Sequence, residues 1–307
     1  MFRRFAPVLA ALLVLTACAT RPSEDPAAAP ETDGAFPVTV AAPGAPAVTL
    51  ERKPERIVSL SPSATETLYA LGAGPQVVAV DSASTYPEQA PKTALSGLSP
   101  DPEAIAAYRP DLVVVYADDS GLADTLATTG TATLVMPDAR TLDDAFAQFA
   151  ALGTATGHQA EGESLARQAK DDIDKIVADT PKRQLSYYWE VDQTLYSTTS
   201  ATFVGQLLSR FGLTNIADGD DPSASGGYPQ LSAERILQAN PDLIFLADTK
   251  CCGQDASTVA ARPGWSTLTA VQAGHVVSLD DDIASRWSPR VVELTRAVSD
   301  AIAKSGA

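Results

Sequence analysis

The side chains best placed to do chemistry in this sequence lie just beyond its apolar runs. Ser61, Pro62, Ser63 and Thr65 follow RIVSL, Asp81 to Tyr86 follow QVVAV, and Tyr116 follows LVVV. Further along, Trp189 and Glu190, Asp248, Asp280 to Asp282, and Arg286 with Trp287 hold the same kind of position. Runs of this type read as strands, and open α/β sheets bind ligands beyond the carboxyl ends of their strands. Tyr86, Tyr116, Trp189, Tyr228 and Trp287 would supply aromatic faces, while Asp282 and Arg286 would supply charge and a hydrogen-bonding fork. Trp265, in RPGWSTL, reads as packing, and Arg290 as a brace for the last helix. This is equipment for holding a ligand. Catalytic patterns are missing: there is no GxSxG elbow, no phosphate-cradling Gly loop and no HExxH, and the two histidines, His158 and His275, are far apart. No catalytic residue, cofactor or metal site is expected. Cys251 and Cys252 are adjacent, and either form a strained vicinal disulfide or stay unpaired.

The elements that would position these residues follow from apolar periodicity. RIVSL at 56–60 and QVVAV at 76–80 read as strands around the helix TETLYALGAG at 65–74. PEAIAAYRPDLVVVY at 102–116 reads as a short helix broken near Pro110 and then a buried strand. Nearly all-apolar strands alternating with helices indicate parallel sheets covered on both faces. The segment starting at Glu103, EAIAAYRPDLVVVYAD, recurs at Glu234 as ERILQANPDLIFLAD, with Pro110 and Pro241 at the same offset. A repeat at this long spacing indicates a duplicated lobe. FVGQLLSRFGLTNIA at 203–217 is the counterpart of the first helix. Between the lobes, residues 158–180 carry apolar positions at Leu165, Ala169, Ile173, Ile176 and Val177 and no proline until Pro181. They read as one helix roughly 35 Å long. The expected fold is α/β, with two Rossmann-like lobes over 51–157 and 181–307 joined by this single long helix.

Arg3 and Arg4, the apolar run Phe5 to Leu15 and Thr16-Ala17-Cys18 have the anatomy of a secretory signal. The run is too short to span a bilayer. LTAC at 15–18 resembles a lipobox, which would make Cys18 the lipidated mature N-terminus and hold the protein on a membrane through its acyl chains. Residues 19–50, rich in Ala and Pro, read as a disordered tether. The formal charge of −16 provides no basic stripe for nucleic acid and favours solubility.

Several stretches resemble the periplasmic binding protein family for iron-siderophores, haem and vitamin B12. They are RIVSLSPSATETLYALGAG (56–74), YPEQ (86–89), PEAIAAYRPDLVV (102–114), YPQLSAERILQANPDLI (228–244) and SRWSPRVVEL (285–294). The resemblance implies two α/β lobes joined by a long helix with the ligand in the cleft between them. It also implies that Glu103 and Glu234 each dock into arginines of a permease, where a carboxylate accepts a bidentate fork. From the residues alone, each glutamate reads equally as a helix-dipole partner or a solvated charge. By the same resemblance, Tyr228, Asp282 and Arg286 fall at ligand-contacting positions. The sequence also departs from the pattern: DSASTYP lacks one aromatic of the B12 binder and ALSGLSPDP lacks its tryptophan, which counts against cobalamin. Haem would need an axial ligand such as a tyrosinate from Tyr86 or Tyr116, whereas a ferric siderophore already satisfies its iron. The expected function is therefore that of a substrate-binding lipoprotein of an ABC importer, not an enzyme. It would capture an iron-siderophore, or else haem or a corrinoid, at the extracytoplasmic face of the cell membrane and deliver it to the permease and its ATPase. The alternatives are a cobalamin receptor of the same fold and a non-transport envelope lipoprotein with a vestigial cleft.

Overall fold

Short apolar runs separated by helices build two parallel sheets, because a strand that is apolar on both faces must be covered on both. The computed structural model describes residues 36–219 and 224–306. Cys18 and the signal segment lie outside the described residues. In the first lobe, β1 (Val38–Val40) and β2 (Val48–Leu50) form an antiparallel hairpin. After it come β3 (Ile57–Leu60), α1 (Pro62–Ala70), β4 (Val77–Val80), α2 (Pro102–Ala106), β5 (Leu112–Val115), α3 (Leu122–Ala127) and β6 (Ala132–Val135). Two helices follow, α4 (Leu142–Thr156) and α5 (Gln159–Asp179). The second lobe holds β7 (Ser186–Glu190), α6 (Phe203–Ser209), β8 (Thr214–Asn215), α7 (Ala233–Ala239) and β9 (Leu243–Leu246). It ends with α8 (Thr249–Cys252), α9 (Ala256–Ala260), α10 (Thr269–Gln272), β10 (Val276–Ser278), α11 (Asp281–Ser285) and α12 (Val291–Lys304).

The sheets run β4-β3-β5-β6 and β10-β9-β7-β8, with every pairing parallel. Numbered within its own lobe, each has the strand order 2-1-3-4 or its reverse, so the internal repeat is a repeat of topology. The two Pro-Asp junctions show how. Arg109 and Asn240, immediately before the prolines, both take left-handed backbone (φ 49° and 45°) that ends the preceding helix. The aspartate after each proline then pins the first strand of its lobe. Asp111 accepts from the backbone N–H groups of Glu55 and Arg56, and Asp242 accepts from the N–H and hydroxyl of Ser186.

Two expectations need correcting. The tether predicted through residue 50 does not extend over the hairpin, since Val40, Ala42 and Leu50 are buried against Ile57, Leu68 and Leu152. In β1 and β2 the valines and Leu50 alternate with Thr39 and Thr49, whose hydroxyls meet at 3.0 Å on the outer face. Strands of three residues inside an Ala/Pro-rich stretch leave too short a period to read. The joint between the lobes is also more than one helix. In α4, Ala145, Phe146 and Phe149 pack with Tyr187, Trp189 and Phe245 of the second lobe, while Ala151, Leu152 and Ala155 pack in the first. Helix α5, 21 residues and about 30 Å long, buries Ala169, Ile173 and Val177 beside it. The two helices cross at Gly153 and Gly162. A Cβ on Gly162 would stand 2.8 Å from the Phe149 carbonyl oxygen, closer than side chains tolerate, so the crossing needs glycine.

Candidate functional site

The carboxyl ends of β5 and β6 face the start of α6 and the loop at 226–228 across a hollow of about 880 Å³. Tyr116, Asp119, Asp138 and Arg140 line it from the first lobe, and Phe203 and Tyr228 from the second. The second-lobe wall is seated by Thr202, whose hydroxyl caps α6 by accepting from the Gly205 N–H at 3.1 Å. Gly205 itself lies so close to the Thr199 carbonyl that a Cβ there would come within 1.9 Å of it. On the first-lobe side, Asp144 accepts from the N–H groups of Arg140 and Thr141 and is committed to the capping box of α4. The side chains of Asp119 and Asp138 accept no hydrogen bond from a described residue. Desolvation raises the pKa of Asp138, with Arg140 opposing it. The Tyr228 phenol is also pushed up, first by desolvation and then by the negative charge of Asp138.

Of the seven residues expected to meet ligand, Tyr116 and Tyr228 line this cleft, on opposite sides of it, and the other five are placed elsewhere. Tyr86 stacks on Arg290, whose guanidinium carbon is 4.3 Å from the ring centroid. It lines a separate hollow of about 440 Å³ between α1, α5 and α12, with Glu66, Tyr69 and Arg296. Arg286 is committed to protein. Its side chain is 8% exposed, its Nη1 donates to Glu66 Oε1 at 2.7 Å, and its Nη2 donates to Asp282 Oδ1 at 2.6 Å and to the Ala83 carbonyl at 2.9 Å. Asp282 also accepts from Thr85 and Lys250. Ser288 and Arg290 complete the shell around Glu66. Since Glu66 lies on α1 of the first lobe and Arg286 follows α11 of the second, this network ties the lobes together.

The two tryptophans are structural. Trp189 is 1% exposed, with its ring 5.8 Å from that of Phe245. Trp287 is half-buried, packs on the same core and donates its indole N–H to Gln148 Oε1 of α4 at 3.1 Å. Trp189 points into the core because it is the penultimate residue of β7, and alternation puts the last residue, Glu190, on the other face. Glu190 is fully buried and receives both guanidinium nitrogens of Arg262 at 2.6 Å. Arg262 lies 4.6 Å over the Trp265 ring, which is itself buried as expected. Asp248 is also fully buried, with neither carboxyl oxygen hydrogen-bonded. Burial, and then the neighbouring Glu190, push its pKa up to about 7. Cys251 and Cys252 are free thiols. The hydrogen bond with Cys252 and desolvation push Cys251 up to about 12.

Glu103 and Glu234 are both exposed, each the second residue of its helix, behind the N-caps Asp101 and Ser232. Neither is ion-paired to a described residue. The duplication thus presents the same carboxylate twice.

Sequence reasoning missed Glu66, Asp138, Arg140 and Phe203. Asp138 and Arg140 follow β6, whose run ATLV was not read as a strand, although the rule of looking beyond strand ends would have found both once it was. Glu66 had a signal of its own: an acid within the first apolar helix, which burial obliges to find cations. Among the described residues no helix is long and apolar enough to cross a membrane, and no group of three or more His, Cys, Asp or Glu side chains is placed to hold a metal ion.

Comparison with known proteins agrees with this architecture. The chain is 29% identical to an uncharacterised ABC transporter substrate-binding lipoprotein of Bacillus subtilis, over 97% of this chain and 96% of that one. It is 30% identical to a vitamin B12-binding protein of Pectobacterium carotovorum, over 78% of this chain and 85% of that one. Among solved structures it superposes with a TM-score of 0.69 on a possible iron-binding, periplasmic solute-binding protein of Staphylococcus epidermidis. That match is 26% identical and covers 82% of this chain and 99% of the other. The model of the periplasmic binding proteins matches residues 57–283, which takes in both sheets and the cleft between them, and the chain therefore belongs to the periplasmic binding protein family.

Proposed function

We propose that this protein is the capture component of an ABC importer for a large metal-organic ligand, a ferric siderophore or a corrinoid, and that the ligand sits between Tyr116 and Tyr228. The observation that carries this reading is the cleft of about 880 Å³ with one aromatic wall from each lobe. Its size lies in the upper range of ligand sites, and a ligand touching both lobes can be held without a protein–metal bond. The B12-binding and iron-binding relatives support the same pair of ligand classes. Cys18 is the lipid anchor in this reading, which places the protein at the extracytoplasmic face of the membrane, and Glu103 and Glu234 are the twin handles for the permease. The lipoprotein of Bacillus subtilis supports the anchor and the transport role. The protein binds and releases its ligand without turning it over.

Titration calorimetry of the full chain with a ferric trihydroxamate, a ferric catecholate, cyanocobalamin and haem tests the cleft. The expected result is one-to-one binding by one class, weakened about tenfold or more by Tyr116→Ala or Tyr228→Ala, as befits loss of an aromatic anchor. No binding by any of them would overturn the reading. Charge reversal at both handles, Glu103→Lys with Glu234→Lys, is expected to abolish uptake by cells while leaving affinity intact. Unchanged uptake removes the docking role.

A further inference from the structure

We infer that the cleft selects a ligand whose periphery donates hydrogen bonds or carries positive charge, and discriminates against one whose periphery presents carboxylates. This inference rests on the capture reading above and names the chemistry of that site. The first observation is where the cations are. Arg286, the guanidinium best placed by sequence to receive a ligand carboxylate, is spent on Glu66, Asp282 and the Ala83 carbonyl, and is nearly closed to solvent. Arg290 is committed to Glu66, Glu293 and the Tyr86 ring. Neither lines the Tyr116–Tyr228 cleft.

The second observation is what does line it. Three carboxylates, on Asp119, Asp138 and Asp144, face one guanidinium, that of Arg140. Asp144 is tied to the start of α4, so Asp119 and Asp138 are the acceptors open to a ligand. Arg140 is held to local duty, its charge acting on Asp138. The field of these groups reaches across to the opposite lobe, since the Tyr228 phenol is harder to ionise because of Asp138. An aromatic slot edged by unpartnered acceptors suits the primary amides around a corrin or the ammonium group of a linear hydroxamate. It repels the paired carboxylates of a haem or a carboxylate siderophore, because like charges brought together across an interface are costly. The net charge of −16 adds attraction at a distance for cationic ligands.

Two matched pairs test this on the full chain by calorimetry. One is cyanocobalamin against the corrinoid in which a single side-chain amide is hydrolysed to the acid. The other is an ammonium-bearing ferric trihydroxamate against the same chelate succinylated at that amine. In whichever pair binds, the acid member is expected to be weaker by about tenfold at low salt, with the gap narrowing as salt screens it. Asp138→Asn, with Asp119→Asn as a second variant, is expected to narrow the gap while leaving the melting temperature unchanged. An acid member that binds as tightly as its parent overturns the inference. So does haem binding more tightly than both parents, which would leave the capture reading standing. Silence from every ligand, haem included, overturns both.

Discussion

The two lobes share one topology and solve the problem at the carboxyl end of their first strand in opposite ways. In the first lobe, the end of β3 is filled with hydroxyls. Thr65 donates to Ser59 at 2.8 Å and meets Ser84 at 2.9 Å, and Ser84 bonds to Asp81. In the second lobe, the end of β7 is filled with ions. Glu190 is held by Arg262, with Asp248 buried beside it and the Tyr188 hydroxyl enclosed without a partner. Duplication preserved the backbone, which the repeated Pro-Asp junctions enforce, and left the chemistry of the switch point free to diverge. A hydroxyl net stabilises by many small contacts, whereas an ionic net depends on every member, because a buried charge that loses its partner keeps its desolvation penalty.

The comparison predicts its largest effect at Arg262. Arg262→Ala strands Glu190 with no cation and removes the stack on Trp265, and is expected to cost about 3–5 kcal/mol, the usual range for breaking a buried pair. Urea unfolding followed by circular dichroism reads it. A loss below about 1 kcal/mol, the level of a surface pair, would mean that the second lobe is no more dependent on its ions than the first is on its hydroxyls.

Next in size is the pH response of Asp248. Its folded pKa of about 7 stands above the ordinary carboxyl value of about 3.9 expected in the unfolded chain. Between those values the folded state binds the extra proton, so this group's contribution is fully present below about pH 3.9, falls as pH rises and is gone above about pH 7. The groups facing Asp248 are Glu190, Arg262 and Tyr188. Asp248→Asn mimics the protonated form and is expected to remove this descent, leaving a protein more stable than wild type at pH 8 and similar to it at pH 4. Thermal melts across that range decide it. A variant whose stability runs parallel to wild type at every pH would show that Asp248 is not the proton's site.

What could be read in advance divides along the same line. The lobes, the duplication and most strands were legible because apolar runs and the Pro-Asp offset are local signals. The hairpin at 38–50 was not, since its strands are three residues long. The residues that meet across the lobes were the hardest to read. Glu66 and Arg286 are separated by 220 residues, and nothing local shows that a guanidinium beyond a strand end is already engaged. Trp189 misled for a simpler reason: being near a strand end does not say which face a side chain takes, and a shift of one residue exchanges core for cleft. Tyr116 and Tyr228 were legible because each stands outside a strand, where the core has no claim on it.

The smallest effect belongs to the hydroxyl net, and counting protons shows why it is worth testing. Four contacts run in a chain from Asp81 through Ser84, Thr65 and Ser59 to the Ser61 carbonyl, and three hydroxyl protons serve them. The chain is complete only when Asp81 brings a fourth, which accords with the rise that burial imposes on its pKa against the hydrogen bonds from Ser84. Thr65→Val keeps the shape and removes one link. It is expected to cost about 1–2 kcal/mol, the usual price of a neutral buried hydrogen bond. It should also lower the pKa of Asp81, because Ser84 would then have nowhere to pass its proton when the acid is protonated. Carboxyl NMR titration of Asp81 reads this separately from stability. If Asp81 titrates as in wild type while stability falls, the net is four independent contacts. If its pKa drops while that of Asp248 stays put, the two lobes hold their buried acids by different means: one by a chain of hydroxyls, the other by a shared cation.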